Sequence, residues 1–432
     1  MRKIPIVLAV VVLTLSLAAC GGGAKRHVEI VGMIQSSPEA QFVKSIAEDF
    51  NADPNNGGIT VTINELGRDN VFPRIQTQLF AKSTAVDFVF ITPSLIGPLG
   101  AGGVLEDLNP YFTKKAAGES FTTSLFSKGG IDAGTYAGSL YGLPFVTSTM
   151  LLFYRTDLIK TPPQTWDEYY QLARKFTKSL NPASPTVYGT TVMGKPQQDA
   201  INVDEYSQIA WSMGGDFVGT DASVNVSTPQ NVKALELWTN LYRNKLVPPD
   251  ATSFDYPAVL AAFQEGQTAM CIQWDAAAGS FADPKQSPKI YDKFAVAAIP
   301  GTKQADGTIL RQPYLNFWLS SVNKFSGKKE QTFKFLSYLY DPKEFTKRLT
   351  PNMTTALKDV LASDEFRAIK QGSRSYDAYK QSLLEGRTFN AHKELDKIKS
   401  ILDSALSQAL AGSETPQQAL EGAQSNIAST AK

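Results

Sequence analysis

The chain has 432 residues, a formal net charge of +1, two cysteines and two histidines. Its length exceeds what one ordinary hydrophobic core accommodates and predicts two domains, and the balanced charge argues against nucleic acid as a partner. With two histidines, and without an HExxH, GxSxG or GxxxxGK[ST] motif, the chain is predicted to hold no metal, to need no cofactor and to catalyse no reaction.

The amino terminus has the features of an export signal. Arg2 and Lys3 precede an apolar run that is too short to span a bilayer, and the run ends in LAACGGG, residues 17–23. This ending resembles a bacterial lipobox, so residues 1–19 are predicted to be removed and Cys20 to carry a lipid anchor, with residues 20–27 as a tether. The alternative is a short membrane anchor with an incidental cysteine. We expect an extracytoplasmic protein, at the outer face of the cytoplasmic membrane or in the periplasm.

Predicted strands and helices alternate after the tether. Residues 28–34 (VEIVGMI) have the pattern of a buried strand, and a helix at 39–50 follows. Residues 59–63 alternate as a strand, and a helix at 71–82 leads into a strand at 86–91. This order predicts an α/β fold with a parallel sheet that binds ligands at the carboxyl ends of its strands.

Helix caps mark the middle of the chain. Thr165 and Glu168 have the spacing of a capping box, and Thr228-Pro229 opens a second helix. Asp255 is expected to cap a third helix, which ends at Gly266 before a strand at 268–273. A further amphipathic helix is predicted at 331–340. No low-complexity linker separates these segments, which indicates lobes joined by several crossings.

Eight stretches, in chain order, together carry a family resemblance. They are VDFVFITPSLIGPLGAGGVLEDL from Val86, YGLPFVTSTMLLFYRTDL from Tyr141, PPQTWDE from Pro162, WSMGGDF from Trp211, AAFQEGQTAMCIQWD from Ala261, AVAAIPG from Ala295, NFWLSS from Asn316 and ETPQQALEGAQ from Glu414. In this order they resemble extracellular solute-binding proteins of ABC importers, family 1, which includes maltose-binding proteins. The resemblance implies a two-lobed periplasmic-binding-protein fold of type II, with two α/β domains joined by hinge crossings.

The resemblance also implies where the lobes divide. The amino-terminal lobe is expected to comprise residues 28–145 and 296–340, and the carboxy-terminal lobe residues 146–295 and 341–432. The crossings are expected near 147–150, near 294–297 and past Tyr340. The likeness implies a monomer that closes on its solute and delivers it to the transmembrane subunits of an ABC permease.

By the same likeness, the ligand-binding residues are expected at nine positions: Gln35, Ser36, Ser94, Ser148, Tyr206, Trp274, Asp275, Asn316 and Asn352. Amide and hydroxyl groups suit the hydroxyls of a sugar. The flat ring of Trp274 suits the apolar face of a pyranose, since an aromatic ring offers a large contact area and the indole edge can donate.

Three functions are weighed. The leading interpretation is a lipid-anchored receptor for a neutral carbohydrate, with an oligosaccharide as the expected solute. The second keeps the fold but binds a polyol phosphate, a polyamine or a peptide, and an anionic solute would call for an arginine such as Arg68 at the cleft. The third is a secreted carbohydrate-active enzyme, which would need two cleft carboxylates about 5–10 Å apart.

Overall fold

A computed structural model describes residues 27–116, 118–196, 200–219, 221–351 and 353–430, without the side chains of residues 38, 68 and 430. The predicted signal, the lipidation site Cys20 and the candidate ligand residue Asn352 lie outside these ranges. In the described part of the chain, every helix is either too short or too polar to cross a lipid bilayer.

The residues that the structure describes form eleven strands. They are β1 (Val28–Gln35), β2 (Ile59–Leu66), β3 (Phe88–Ile91), β4 (Thr135–Tyr136), β5 (Ser139–Leu140), β6 (Leu143–Arg155), β7 (Met270–Trp274), β8 (Phe294–Ala297), β9 (Thr302–Lys303), β10 (Ile309–Leu310) and β11 (Leu315–Val322).

Most of the remaining chain is helical. The α-helices are α1 (Pro38–Ala52), α2 (Arg68–Phe80), α3 (Pro93–Ala101), α4 (Asn109–Thr113), α5 (Lys128–Ala133), α6 (Trp166–Lys175), α7 (Ile201–Ser212), α8 (Pro229–Arg243), α9 (Tyr256–Gln264), α10 (Ala277–Ala282), α11 (Lys329–Leu339), α12 (Pro342–Thr346), α13 (Lys358–Leu361), α14 (Asp364–Gly372), α15 (Tyr376–Glu385), α16 (Leu395–Ala411) and α17 (Pro416–Thr430). Short 3₁₀ turns occur at Thr123–Leu125 and Ala251–Ser253.

The predicted helix caps are present. The Thr165 hydroxyl accepts from the Glu168 amide at the start of α6, and the Glu168 carboxylate accepts from the Thr165 amide. Thr228 accepts from the Asn231 amide at the start of α8, and Asp255 caps α9. Each cap satisfies an amide that the first turn of a helix leaves without an intrahelical partner.

The main sheet is only partly parallel. Its order is β2-β1-β3-β11-β6-β7, and β8 also pairs with β6. Strands β1, β2 and β3 run parallel, as predicted, but β11, β6, β7 and β8 pair antiparallel to their neighbours. The parallel sheet predicted from residues 28–91 is confirmed for β1, β2 and β3, and it does not extend to the strands that later parts of the chain add to the sheet.

Two lobes share strand β6. Its first half, up to Thr149, pairs with β11, and its second half, from Met150, pairs with β7 and β8. We call the body around β1–β3 and β11 the amino-terminal lobe, since hydrophobic cores cover both of its sheet faces. The body around β7 and the second half of β6 has its own core, and we call it the carboxy-terminal lobe.

Core packing places two lobe boundaries away from their predicted positions. Tyr314 packs in the carboxy-terminal core and Leu315 in the amino-terminal core, so this crossing lies near residues 314–315 and not near 294–297. Phe345 and Val360 still pack in the amino-terminal lobe, whereas Phe366 packs in the carboxy-terminal lobe. The boundary expected at residue 341 is therefore wrong, because the apolar side chains of α12 and α13 cover the amino-terminal sheet.

One buried acid in the carboxy-terminal core makes stability depend on pH. The carboxyl group of Glu205, in α7, is 3% exposed and accepts from the Met193 amide at 2.6 Å. Burial raises the pKa of Glu205 from its ordinary 4.5 to about 7. The stability that comes from the protonated form is complete below pH 4.5, and it is lost as the pH rises through 7.

We expect Glu205→Gln to remove that pH dependence while it keeps an acceptor for the Met193 amide. Between pH 4.5 and a pH above 7, the free energy of unfolding of the wild type should fall by roughly 3 kcal/mol, and that of the variant should not. Urea unfolding at several pH values measures the difference. An identical pH profile for the two proteins would contradict the expectation.

Candidate functional site

A cavity of about 310 Å³ lies between the two lobes. It opens beside the carboxyl ends of β1, β3 and β7, where parallel and mixed α/β sheets commonly bind ligands. Its described lining residues come from both lobes: Gln35, Ser37, Glu39, Phe72, Thr92, Ser94, Leu95, Ser148, Ala200, Ile201, Asp204, Tyr256, Trp274, Ala276, Tyr314, Asn316, Trp318, Thr354, Asp396 and Lys399.

The shared strand supplies the base of the cavity. Ser148, on β6, and Asn316, on β11, are partners in the antiparallel register, and both are half-buried. Trp274 ends β7, whose register pairs it with Met150 on β6. Hydroxyl, amide and indole groups are thus placed side by side at the point where β6 changes from one lobe to the other.

Aromatic rings form much of the wall. The Trp274 ring packs edge to face against Tyr314, with centroids 6.0 Å apart. On the amino-terminal side, Phe72 and Trp318 stack with centroids 6.1 Å apart and an interplanar angle of 25°. These ring contacts restrict the rotation of both indole rings, which line the cavity together with Tyr314 and Phe72.

Carboxylates enter the cavity from three helix starts. Glu39, Asp204 and Asp396 each lie in the first turn of a helix, in α1, α7 and α16 respectively. The positive end of the helix dipole favours negative charge at that position. The α16 helix also contributes Lys399, whose ammonium lies 2.7 Å from the Asp204 carboxylate.

Burial and neighbours shift the pKa values of this group. Burial raises the pKa of the Asp396 carboxyl, although Lys399 and the side chain of Gln76, from α2, act in the opposite sense. Burial by itself would lower the pKa of the Lys399 ammonium, but the Asp204 carboxylate outweighs it, so that pKa is raised. Lys399 therefore stays charged and is paired inside the protein.

Five of the nine predicted ligand residues line the cavity: Gln35, Ser94, Ser148, Trp274 and Asn316. Their contact with a solute stays a prediction. Ser36 lies beside this group but is exposed, and its hydroxyl donates to the Glu65 carboxylate at 3.2 Å.

Two predicted residues lie away from the cavity wall. Tyr206 is fully buried in the carboxy-terminal core, where its hydroxyl donates to the Asn231 carbonyl at 2.6 Å. Asp275 is fully buried behind the wall, with its carboxylate turned to the Thr149 amide and to Lys370. Both expectations of ligand contact are corrected, because each side chain is already engaged inside the protein.

Sequence reasoning missed the charged residues of the site and most of its aromatic residues. Glu39, Tyr256 and Asp396 lie at helix starts, and the signals for the first two helix starts were visible in the sequence. Glu39 could have been found by expecting the first turn of each helix that follows a predicted strand to lie at the cleft. Lys399 shows no local signal, since its place depends on how α16 packs against α7, where Asp204 lies.

The two lobes touch along the rim of the cavity. Helix α3 of the amino-terminal lobe packs against α16 of the carboxy-terminal lobe. A Cβ atom on Gly97, in α3, would overlap the carbonyl of His392, just before α16. This close approach of two backbones therefore requires glycine at position 97.

A polar and aromatic cavity, enclosed by two lobes on a shared strand, defines a two-lobed binding protein whose site for a small molecule lies between the lobes. The chain belongs to the bacterial extracellular solute-binding protein family, whose model matches residues 35–344. Members are MalE-like receptors of ABC importers and not enzymes, so the expected family, fold class and lack of catalysis are confirmed.

Known proteins are similar over most of the chain. The probable ABC transporter-binding protein of Deinococcus radiodurans is 25% identical over 366 residues, which cover 82% of each chain. The sn-glycerol-3-phosphate-binding periplasmic protein UgpB of Yersinia enterocolitica is 27% identical over 333 residues, covering 72% of this chain and 71% of its own. The structure of maltose-bound MalE3 from T. maritima matches with a TM-score of 0.77 at 20% identity, over 93% of this chain and 99% of its own.

The contact at Gly97 provides a test of lobe closure. We expect Gly97→Ala to push the His392 segment away from α3 and to lower solute affinity about 10-fold or more. The melting temperature without solute should also fall, because loss of this backbone contact outweighs the roughly 1 kcal/mol by which alanine favours helix. Calorimetric titration and apo melting measure the two effects.

Gly422→Ala, in α17, is the matched control, because a Cβ there meets no atom within 4 Å. It should leave affinity unchanged. Wild-type affinity in a folded Gly97→Ala variant would show that this contact has no part in closure.

Proposed function

We propose that this protein is the lipid-anchored receptor of an ABC importer for a neutral carbohydrate, a short oligosaccharide above all. The observation that carries the proposal is the cavity lining, which combines indole and phenol rings with amide, hydroxyl and carboxylate groups. The rings cover the apolar faces of a sugar, and the polar groups accept hydrogen bonds from its hydroxyls and donate hydrogen bonds to them. A volume of about 310 Å³ lies at the lower end of the usual range of ligand pockets, which favours a short solute.

The charges in the cavity disfavour an anionic solute. Among the described lining residues, Lys399 is the only cation, and it is already paired with Asp204. Glu39 and Asp396 add two further carboxylates. A phosphate would meet these carboxylates without the arginine fork that such groups commonly need, so a polyol phosphate of the kind named for UgpB is the weaker candidate.

Capture by closure follows from the shared strand. A solute that binds both lobes favours the closed form by the difference between its affinities for the closed and open forms. Because Gln35 and Asn316 belong to the amino-terminal lobe while Trp274 and Asp204 belong to the carboxy-terminal lobe, a single sugar can bridge them. The closed receptor would then present both lobes to the permease.

A thermal-shift panel tests the solute class. Neutral mono- and oligosaccharides, including maltose, are compared with glycerol-3-phosphate, spermidine and a mixed peptide pool. A solute at 100 times its dissociation constant raises the free energy of unfolding by about 2.7 kcal/mol, which shifts the melting temperature upwards. We expect this shift with at least one neutral sugar and none with glycerol-3-phosphate, and the reverse result would contradict the proposal.

With the sugar from that panel, Trp274→Ala should weaken binding about 10- to 100-fold, because a stacked ring contributes roughly 1–3 kcal/mol. The apo melting temperature should stay close to wild type, since the Trp274 side chain is partly exposed at the cavity. Trp238→Phe is the control, because Trp238 is fully buried in the carboxy-terminal core. That variant should lower melting without changing affinity, and equal affinity in wild type and Trp274→Ala would exclude the stacking role.

The anchor is tested separately at Cys20. Thioether attachment of a lipid needs the thiol, so Cys20→Ser should abolish metabolic palmitate labelling and release the protein from membranes. Solute binding by the purified protein should be unchanged. Continued labelling and membrane retention of the variant would contradict the lipobox interpretation.

A further inference from the structure

A fully buried ion pair lies directly behind the cavity wall. Asp275 follows Trp274, the last residue of β7, and Lys370 lies in α14; both side chains are 0% exposed. The Lys370 ammonium is 3.5 Å from one Asp275 carboxylate oxygen, and the other oxygen accepts from the Thr149 amide at 3.1 Å. The Asp275 amide in turn donates to the Thr149 carbonyl at 2.9 Å.

Each partner of this pair lies at a crossing between the lobes. Thr149 is the residue at which β6 stops pairing with β11, before Met150 begins to pair with β7. Lys370 donates to the carbonyl of Pro351 at 3.2 Å, and Pro351 precedes Met353, which packs in the amino-terminal core. A side chain from the carboxy-terminal lobe is therefore bonded to a segment flanked by Phe345 and Met353, which both pack in the amino-terminal core.

The aromatic ring of Tyr379 completes the enclosure. The Lys370 ammonium lies 5.4 Å from the centre of that ring, and the Tyr379 hydroxyl donates to the Thr147 carbonyl at 2.7 Å. Thr147 belongs to the same stretch of β6 as Thr149. Asp275 and Tyr379 thus both bond to β6 at the point where this strand passes from one lobe to the other.

Every segment held by the cluster also supplies a side chain to the cavity. Ser148 lies between Thr147 and Thr149, Trp274 precedes Asp275, and Thr354 follows the Pro351 segment. Burial of a charged pair costs desolvation free energy that its mutual attraction barely offsets, so such a pair is weak evidence for a stabilising role. The geometry favours a role in positioning instead.

We propose that Asp275 and Lys370 are positioning residues for solute capture: the pair fixes the third crossing against the first and so aligns Ser148, Trp274 and Thr354 on one surface. The role in solute capture rests on the proposed function, whereas the alignment of the three side chains does not. Burial raises the pKa of the Asp275 carboxyl and lowers the pKa of the Lys370 ammonium, while each group opposes the shift of the other.

Hydrogen exchange of the full chain without solute tests the proposal in three variants: Lys370→Met, Asp275→Asn and the two combined. Lys370→Met leaves a buried carboxyl without its cation and should lower the melting temperature strongly. The double variant is uncharged and should regain most of the wild-type melting temperature. Because it lacks the bond to Pro351, it should still exchange amides at 353–357 about 10-fold faster than wild type.

Lys328→Met is the matched control. Lys328 pairs at 3.2 Å with Asp87, a buried carboxylate just before the start of β3, at the end of that strand opposite to the cavity. Loss of the Lys328–Asp87 pair should lower the melting temperature and leave amide hydrogen exchange at residues 147–150 and 353–357 unchanged.

The outcomes separate the two proposals. A double variant with wild-type exchange at 353–357 overturns the positioning role, and so does one that fails to fold, since the pair would then be needed for the fold itself. The affinity of the double variant for the sugar from the thermal panel should fall about 10-fold. If no sugar binds the wild type, the proposed function fails while the exchange result still decides the positioning role.

Discussion

The structure depends on one strand that hydrogen-bonds to two bodies. The first half of β6 is a member of the amino-terminal sheet, and its second half pairs with β7 and β8 of the carboxy-terminal lobe. A continuous backbone allows the lobes to rotate about the change of partners near Thr149, but it prevents them from sliding apart. The cavity, the ion pair behind it and the rim contact at Gly97 are all placed relative to this point.

Helix dipoles provide part of the electrostatic balance of the cavity. Glu39, Asp204 and Asp396 all lie where a helix begins, so the positive ends of three helices offset charge that would otherwise need cations. Lys399 is held by Asp204 and is not free to attract an anion. This charge balance and the aromatic rings beside it support the proposal of a neutral solute with many hydroxyls.

Local sequence patterns predicted the elements well and their arrangement less well. The capping box at Thr165 and the cap at Asp255 depend on neighbouring residues, and both helix starts lie where the pattern indicates. The antiparallel pairing of β11 with β3 joins residues more than 220 positions apart, and no local pattern contains it. Alternation of strand and helix therefore predicted the fold class but overstated the parallel part of the sheet.

The same distinction applies to the candidate site. Gln35 ends β1 and Ser94 follows β3, so the positions that the family resemblance implied for them agree with the carboxyl edge of the sheet. Tyr206 has a ring and a hydroxyl of the kind that binds sugars. Its role is decided by the burial of α7 on all sides, which depends on tertiary packing and not on local sequence. Asp275 is adjacent in sequence to a cavity residue, yet it lies just past the end of β7, and its carboxylate is turned to the Thr149 amide and to Lys370 behind the wall.

The lobes are discontinuous in sequence, which has a consequence for folding order. The amino-terminal lobe draws its core from residues near 30 and also from residues 315–360, so its sheet lacks β11 until most of the chain has been synthesised. Contacts between such distant segments form slowly, because a long loop must close before they contribute. A growing chain of this kind has no finished lobe during most of its synthesis. That delay is compatible with the predicted export signal, since a chain without a finished lobe has no folded domain to unfold for export.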